Sequence, residues 1–311
     1  MQRKSVAQAI SEARRRLIDA GIASAPLDAR LIVQHVTGLS HEDIVAGTPR
    51  LLPSSDSRRI EKLLRRREAR EPISRLTGER EFYGRSFSLN RGTLDPRPDT
   101  EILVEAALAL ARAQHGEGAT LRIADIGTGS GAIAISLLAE LVHAEAVASD
   151  VSRLALRKAR ENSLRHKVAD RLTLVHGRWF AKIEGFFDLI LSNPPYIPAA
   201  EMALLPDEVR LHDPSQALRG GADGFGAYRQ IAKEVGKHLK TGGHLLVEIG
   251  KDQEEGVRAI MLRHGLKAAC KVNPATPDLS GTIRVLAFVN DPGQPKRASR
   301  EVKKLKLESV A

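Results

Sequence analysis

Hydrophobic residues in the first seventy positions recur at the three-and-four spacing of helices. Val6, Ala9, Ile10, Ala13 and Leu17 would share one face of a first helix, with Gly21 as its stop. Leu27, Leu31, Ile32 and Val36 mark a second over 26–37, ended by Gly38. A short third is expected over 41–46. Ile60, Leu63 and Leu64 predict a fourth over 56–70, capped by Ser54 or Ser55. Its Arg65-Arg66-Arg67 run fits a solvated helix face. Nothing in this bundle carries chemistry of its own.

The rhythm changes at Glu71-Pro72. Glu81-Phe82-Tyr83, a Gly84-Arg85 turn and Ser86-Phe87-Ser88-Leu89 spell a hairpin. Two prolines then stiffen Leu94-Asp95-Pro96-Arg97-Pro98-Asp99-Thr100-Glu101, where Asp99 or Thr100 can cap a helix over 101–113. From residue 121 strands alternate with helices. Strands are expected over 121–126, 145–149, 171–175, 187–192 and 244–249, and helices over 132–141, 152–166, 228–239 and 253–264. This alternation predicts an α/β fold with a mostly parallel, doubly wound sheet. Two further strands, 266–272 and 283–289, follow one another without a helix and predict an antiparallel edge. The expected organisation is a helical bundle over 1–75, a hairpin linker over 76–95, an α/β domain over 96–290 and a basic, disordered tail over 291–311.

Two stretches at strand ends carry the chemistry. The strand over 187–192 runs into Asn193-Pro194-Pro195-Tyr196. Proline cannot extend a ladder, and a residue preceding proline is driven into extended geometry, so Asn193 sits stiffly at the carboxyl lip of the sheet. Open α/β sheets bind their ligands there. The Asn193 side chain, the following carbonyls and the Tyr196 ring could hold a planar NH2 group beside an aromatic wall. Taken alone, the tetrapeptide also fits a proline-terminated strand with a tyrosine packed for stability.

The second stretch is Asp125-Ile126-Gly127-Thr128-Gly129-Ser130-Gly131, set between a strand and a helix. Alternate glycines let the backbone turn tightly and approach a ligand. The spacing is neither that of a pyrophosphate-binding loop nor that of a P-loop, and it suits a ligand without phosphate, such as S-adenosylmethionine. Asp150 ends the next strand, where an acid can accept both hydroxyls of an adenosine ribose. Trp179 follows the third strand and could lie against the adenine, or pack against the helical bundle.

Composition narrows the field. The 311 residues include a single cysteine, Cys270, and no closely spaced histidine pair, so no metal site is expected. The amphipathic start lacks a signal core and no apolar stretch reaches spanning length, which predicts a cytoplasmic protein without membrane contact. The net charge of +10 is uneven: residues 1–75 carry 15 Lys/Arg against 9 Asp/Glu, and residues 291–311 carry 6 against 3. Basic ends on a near-neutral middle suit a negatively charged or nucleic-acid-associated partner, or serve solubility.

Glu71-Pro72-Ile73, Leu76-Thr77-Gly78, Glu81-Phe82, Pro96-Arg97-Pro98-Asp99-Thr100-Glu101, the glycine loop and Asn193-Pro194-Pro195-Tyr196 together resemble the HemK-type release factor glutamine methyltransferases. The resemblance covers about residues 5–290. It implies a seven-stranded Rossmann-like methyltransferase domain behind a bundle that docks the substrate. The implied reaction carries a methyl from S-adenosylmethionine to the glutamine side-chain nitrogen in the Gly-Gly-Gln motif of peptide chain release factors, free or ribosome-associated. Gly127, Thr128, Gly129, Ser130, Gly131, Asp150, Trp179 and Asn193 would then touch the cofactor. Asn193, Pro194, Pro195 and Tyr196 would hold the substrate amide. Asp95, Arg178 and the Thr282-Ile283 pair depart from the family's pattern.

The alternatives are a glutamine methyltransferase of a ribosomal protein, an adenine-N6 methyltransferase of nucleic acid, and a non-catalytic adenosylmethionine-binding module. Direct nucleic-acid binding is compatible with the basic ends, but nucleic acid is not the expected substrate, because no base-recognition domain is evident. The Arg97-Pro98-Asp99-Thr100-Glu101 stretch separates this chain from the ribosomal-protein enzymes.

Overall fold

The computed structural model describes residues 4–47, 50–116, 118–269, 275–278 and 280–291. The tail expected beyond residue 291 and Cys270 lie outside the described residues.

Five helices open the chain: α1 (Val6–Asp19), α2 (Ala25–Thr37), α3 (His41–Val45), α4 (Ser54–Glu68) and α5 (Ile73–Thr77). α1 starts at a capping box, in which Ser5 and Gln8 satisfy each other's backbone N–H groups. Ala13, Leu17, Ile32, Val33 and Leu64 form a separate core between the helices. Leu76 joins this core, so the helical region runs past the boundary expected at residue 75. The serine cap expected for α4 is absent: Pro53 holds the cap position, and Ser54 and Ser55 lie inside the first turn. Arg67 is not on a solvated face. Only 3% exposed, it donates through Nε to Asp28 at 2.7 Å and through a terminal nitrogen to Glu208 at 2.8 Å.

The hairpin pairs β1 (Glu79–Phe82) with β2 (Arg85–Ser88). Its turn is Tyr83-Gly84, one residue earlier than expected, and both residues have positive φ (51° and 66°). That geometry matches the twist of a two-residue hairpin. Phe82 and Phe87 meet edge to face at 6.1 Å and join the core of the α/β part. Asp95, one departure from the family pattern, is buried; it accepts from the Ser74 hydroxyl at 2.6 Å and faces Arg80 at 3.5 Å. It ties α5 and β1 to the entry of the next domain.

That domain runs α6 (Glu101–His115), β3 (Arg122–Ile126), α7 (Ala132–Glu140), β4 (Glu145–Asp150), α8 (Arg153–Arg165), β5 (Leu172–His176) and β6 (Phe187–Ser192). Short α9 (Asp207–Arg210) and α10 (Ser215–Leu218) follow, then α11 (Gly226–Val235), β7 (Leu239–Glu248) and α12 (Glu254–Arg263). β8 (Lys267–Ala268), β9 (Ala275–Pro277) and β10 (Ile283–Val289) complete it. The strand order is β5-β4-β3-β6-β7-β10-β8, a path of seven, with β9 as a short eighth strand against β10. β3 to β7 pair in parallel, whereas β10 is antiparallel to β7, β8 and β9.

Strand alternation builds a core on each face. Ile123, Leu189, Leu191 and Leu246 serve one, packed under α6 and α7. Ala124, Ile126, Ile190 and Val247 serve the other, under α11 and α12. The order reverses at β3, whose neighbours β4 and β6 leave in opposite directions along the sheet. The carboxyl ends of these three strands therefore open a crevice at the switch point.

Candidate active site

β3 ends at a buried carboxylate. Asp125 has no exposed surface and accepts from the Thr128 hydroxyl at 2.6 Å and from the Ala134 N–H at 3.3 Å. Burial pushes its carboxyl up to about 6. These bonds curl the glycine loop back onto the start of α7. Gly127 and Gly129 have positive φ (83° and 58°), and nothing lies within 4 Å of a Cβ placed on either. Their open side faces a cavity of about 1110 Å³. Gly131 serves packing: a Cβ there would come within 2.7 Å of Ile135.

Asp150, at the end of β4, lines the same cavity. Its two oxygens already accept from the N–H groups of Gly129 (2.9 Å) and Ser152 (2.7 Å), which leaves further lone pairs for hydroxyls. Burial raises its carboxyl above the ordinary value, against the pull of these two bonds. Trp179 also borders the cavity, held with φ 52° by the Ser149 hydroxyl on its carbonyl. Its buried indole N–H has no hydrogen-bond partner in the protein. A buried donor without a partner marks a place where a ligand acceptor can sit.

β6 brings the acceptor side. The Ser192 hydroxyl donates to the Ile126 carbonyl at 2.6 Å and pins the ends of β3 and β6 together. Asn193, Pro194 and Pro195 then line the same cavity as Gly127, Gly129 and Asp150. The Asn193 Nδ2 donates to the Thr100 hydroxyl at 3.0 Å, and that hydroxyl donates to Glu248 at 2.6 Å. Thr100 holds the N-cap position of α6, but its side chain makes no capping bond. Glu248, the lone acid of the apolar end of β7, is 2% exposed, and burial raises its carboxyl to about 7.

The structure thus brings together Gly127, Gly129, Asp150, Trp179, Asn193, Pro194 and Pro195 around one cavity. Thr128, Ser130, Gly131 and Tyr196 do not line it. Thr128 and Ser130 are buried in the loop's own interior. Tyr196 turns away because its chain is gripped from behind: Gln253 donates to its carbonyl at 3.1 Å, and a Cβ at Gly220 would come within 2.7 Å of its backbone. Its ring packs against the second core. Burial, with the Glu248 carboxylate nearby, pushes its phenol up to about 12.

The far wall of the cavity is barely legible in the sequence. Pro214, Ser215, Gln216 and Arg219, on and around α10, line the cavity. Asp213 holds this wall, with its carboxylate between Arg75 (2.7 Å) and Arg97 (2.5 Å). Their only sequence signal was the arginine within Pro96-Arg97-Pro98. Among the described residues no group of three or more His, Cys, Asp or Glu could hold a metal ion, and no helix is long and apolar enough to cross a membrane.

Comparison with known proteins fits this arrangement. Residues 8–78 match the PrmC N-terminal domain, and residues 99–207 match the methyltransferase small domain. The release factor glutamine methyltransferase of Agrobacterium fabrum is 42% identical over 284 residues, covering 91% of this chain and 97% of that one. The protein of the same name from Cereibacter sphaeroides is 43% identical over 281 residues, covering 90% and 97%. Among solved structures, the hMettl16 catalytic domain aligns with a TM-score of 0.50 at 16% identity, over 78% of this chain and 86% of that one, a likeness of fold alone. At 42% identity over 284 residues, 91% of its length, the chain belongs to the release factor glutamine methyltransferase family.

Proposed function

We propose that this enzyme methylates the side-chain nitrogen of the glutamine in the Gly-Gly-Gln motif of peptide chain release factors, in the cytoplasm. The observation that carries the proposal is the meeting of Asn193 and Pro194 with the glycine loop and Asp150 around one cavity. S-Adenosylmethionine supplies an electrophilic methyl on a sulfonium. Gly127 and Gly129 offer it a surface without side chains, Asp150 offers acceptors for ribose hydroxyls, and the Trp179 indole offers a donor and a flat face. Thr128, Ser130 and Gly131 shape the loop from inside.

An amide nitrogen is a poor nucleophile because its lone pair is delocalised into the carbonyl. The Asn193 oxygen and the Pro194 carbonyl are two fixed acceptors at the lip of β6. Accepting one N–H each, they would aim the nitrogen and favour the positive charge that builds on it. No general base is needed, since the nitrogen becomes acidic once methylated. Tyr196 braces this loop from the core. The bundle suits docking of the release factor, because Arg67 and Arg75 join it directly to Glu208 and Asp213 beside the cavity's far wall.

Mass spectrometry of a release factor incubated with enzyme and S-adenosylmethionine tests the proposal. A methyl on the Gly-Gly-Gln glutamine is expected, and label in added DNA or RNA with none on that glutamine would overturn it. Asn193→Ala should lower kcat by about 10²–10³-fold while the release factor still binds.

A further inference from the structure

We infer that Thr100 and Glu248 are positioning residues for the transfer, which together lock the Asn193 amide with its nitrogen turned into the protein and its oxygen left for the acceptor. The inference rests on the acceptor role proposed above for Asn193. A side-chain amide can sit either way round, and only one way presents an acceptor to a substrate N–H.

The direction follows from who can donate. An ionised carboxylate only accepts, so the Thr100 hydroxyl must spend its single proton on Glu248, 2.6 Å away. The hydroxyl oxygen can then only accept from Asn193, at 3.0 Å, which requires Nδ2 at that end. A flipped amide would set its oxygen against the lone pairs of Thr100, inside a site where an unmade bond is costly. The Asn193 side chain also pulls the Glu248 carboxyl down, against its burial.

Protonation undoes the lock. A neutral Glu248 can donate to Thr100, which frees the threonine proton for the Asn193 oxygen, and both amide orientations become satisfied. The groups facing Glu248 are Asp99 beside Thr100, Arg284 on β10, Tyr196 on the catalytic loop and Tyr228 on α11, whose hydroxyl donates to the Glu248 carbonyl at 2.9 Å. Burial first, then Asp99, raise the Glu248 carboxyl, while the Thr100 hydrogen bond and, after it, Arg284 oppose them. Both tyrosines are raised and stay protonated through neutral pH. The kcat of the wild-type enzyme should therefore fall as pH drops through about 7.

The test uses the full chain, S-adenosylmethionine and a peptide containing Gly-Gly-Gln. Thr100→Ser keeps the hydroxyl and should hold kcat within about threefold, while Thr100→Val keeps the shape and should lose about ten- to hundredfold, with cofactor affinity and peptide KM unchanged. Glu248→Gln, which presents a donor at every pH, should run at the wild-type's low-pH rate throughout, without the acid limb. Thr100→Val at the wild-type rate, or Glu248→Gln with the wild-type pH profile, overturns the inference. The pH profile decides even where Thr100→Val does not fold. A wild-type enzyme that leaves the glutamine unmethylated would instead refute the proposed reaction, so the two failures are distinguishable.

Discussion

Arg67 on α4 donates through Nε to Asp28 on α2 at 2.7 Å, and both side chains are almost wholly buried. Arg65, two positions earlier, pairs with Glu61, four residues away on the same helix face, and stays largely exposed. Removing one partner of a buried pair leaves an uncompensated charge, at a cost of about 3–5 kcal/mol. An exposed i,i+4 pair contributes about 0.3–0.5 kcal/mol. Arg67→Ala should therefore lower the urea midpoint sharply and Arg65→Ala scarcely. Equal effects would mean that the Arg65-Arg66-Arg67 run acts as one charged surface.

Asp150 bonds the Gly129 N–H and borders the cavity at once. Asp150→Ala should weaken S-adenosylmethionine binding by about 1–3 kcal/mol, the scale of a charged hydrogen bond. Isothermal calorimetry on the folded variant reads this directly, and unchanged affinity would reject its assignment to the ribose.

Glu248 also predicts how stability follows pH. Its carboxyl sits at about 7 in the fold against an ordinary 4.5, so the folded state binds this proton more tightly than the unfolded chain. The stabilisation is full below about 4.5 and is lost as pH rises through about 7. Glu248→Gln does not titrate. Its unfolding free energy relative to wild type should rise across that window, by at most about 3 kcal/mol, and level off above it. A difference that stays flat from pH 4 to 8 would show that Glu248 is not held in this state.

Much of the fold was legible because its signals are local. Apolar runs and periodic apolar spacing placed β3, β4, β6, α7 and α8 within a residue or two, since both signals are written in consecutive residues. The glycine loop and Asn193-Pro194-Pro195-Tyr196 were legible for the same reason: a positive φ and a proline-ended strand are written in neighbouring residues. The hairpin turn slipped by one because Tyr83, as well as Gly84, takes positive φ, which its side chain does not advertise.

What only the tertiary structure decided was which residues meet across the chain. Thr100 and Asn193 are 93 positions apart, and Thr100 and Glu248 are 148 apart. No local pattern distinguishes a helix-capping threonine from one that orients an amide. Arg67 looked like its exposed neighbours until α2 and the segment after Leu204 closed over it. Tyr196 looked like a cavity wall until Gln253 and Gly220 held its backbone the other way. Helices, strands and loops follow from short-range sterics and periodicity. The direction of a hydrogen bond, or the protonation of a buried acid, depends on which distant groups exclude water around it, and that is settled only when the chain packs.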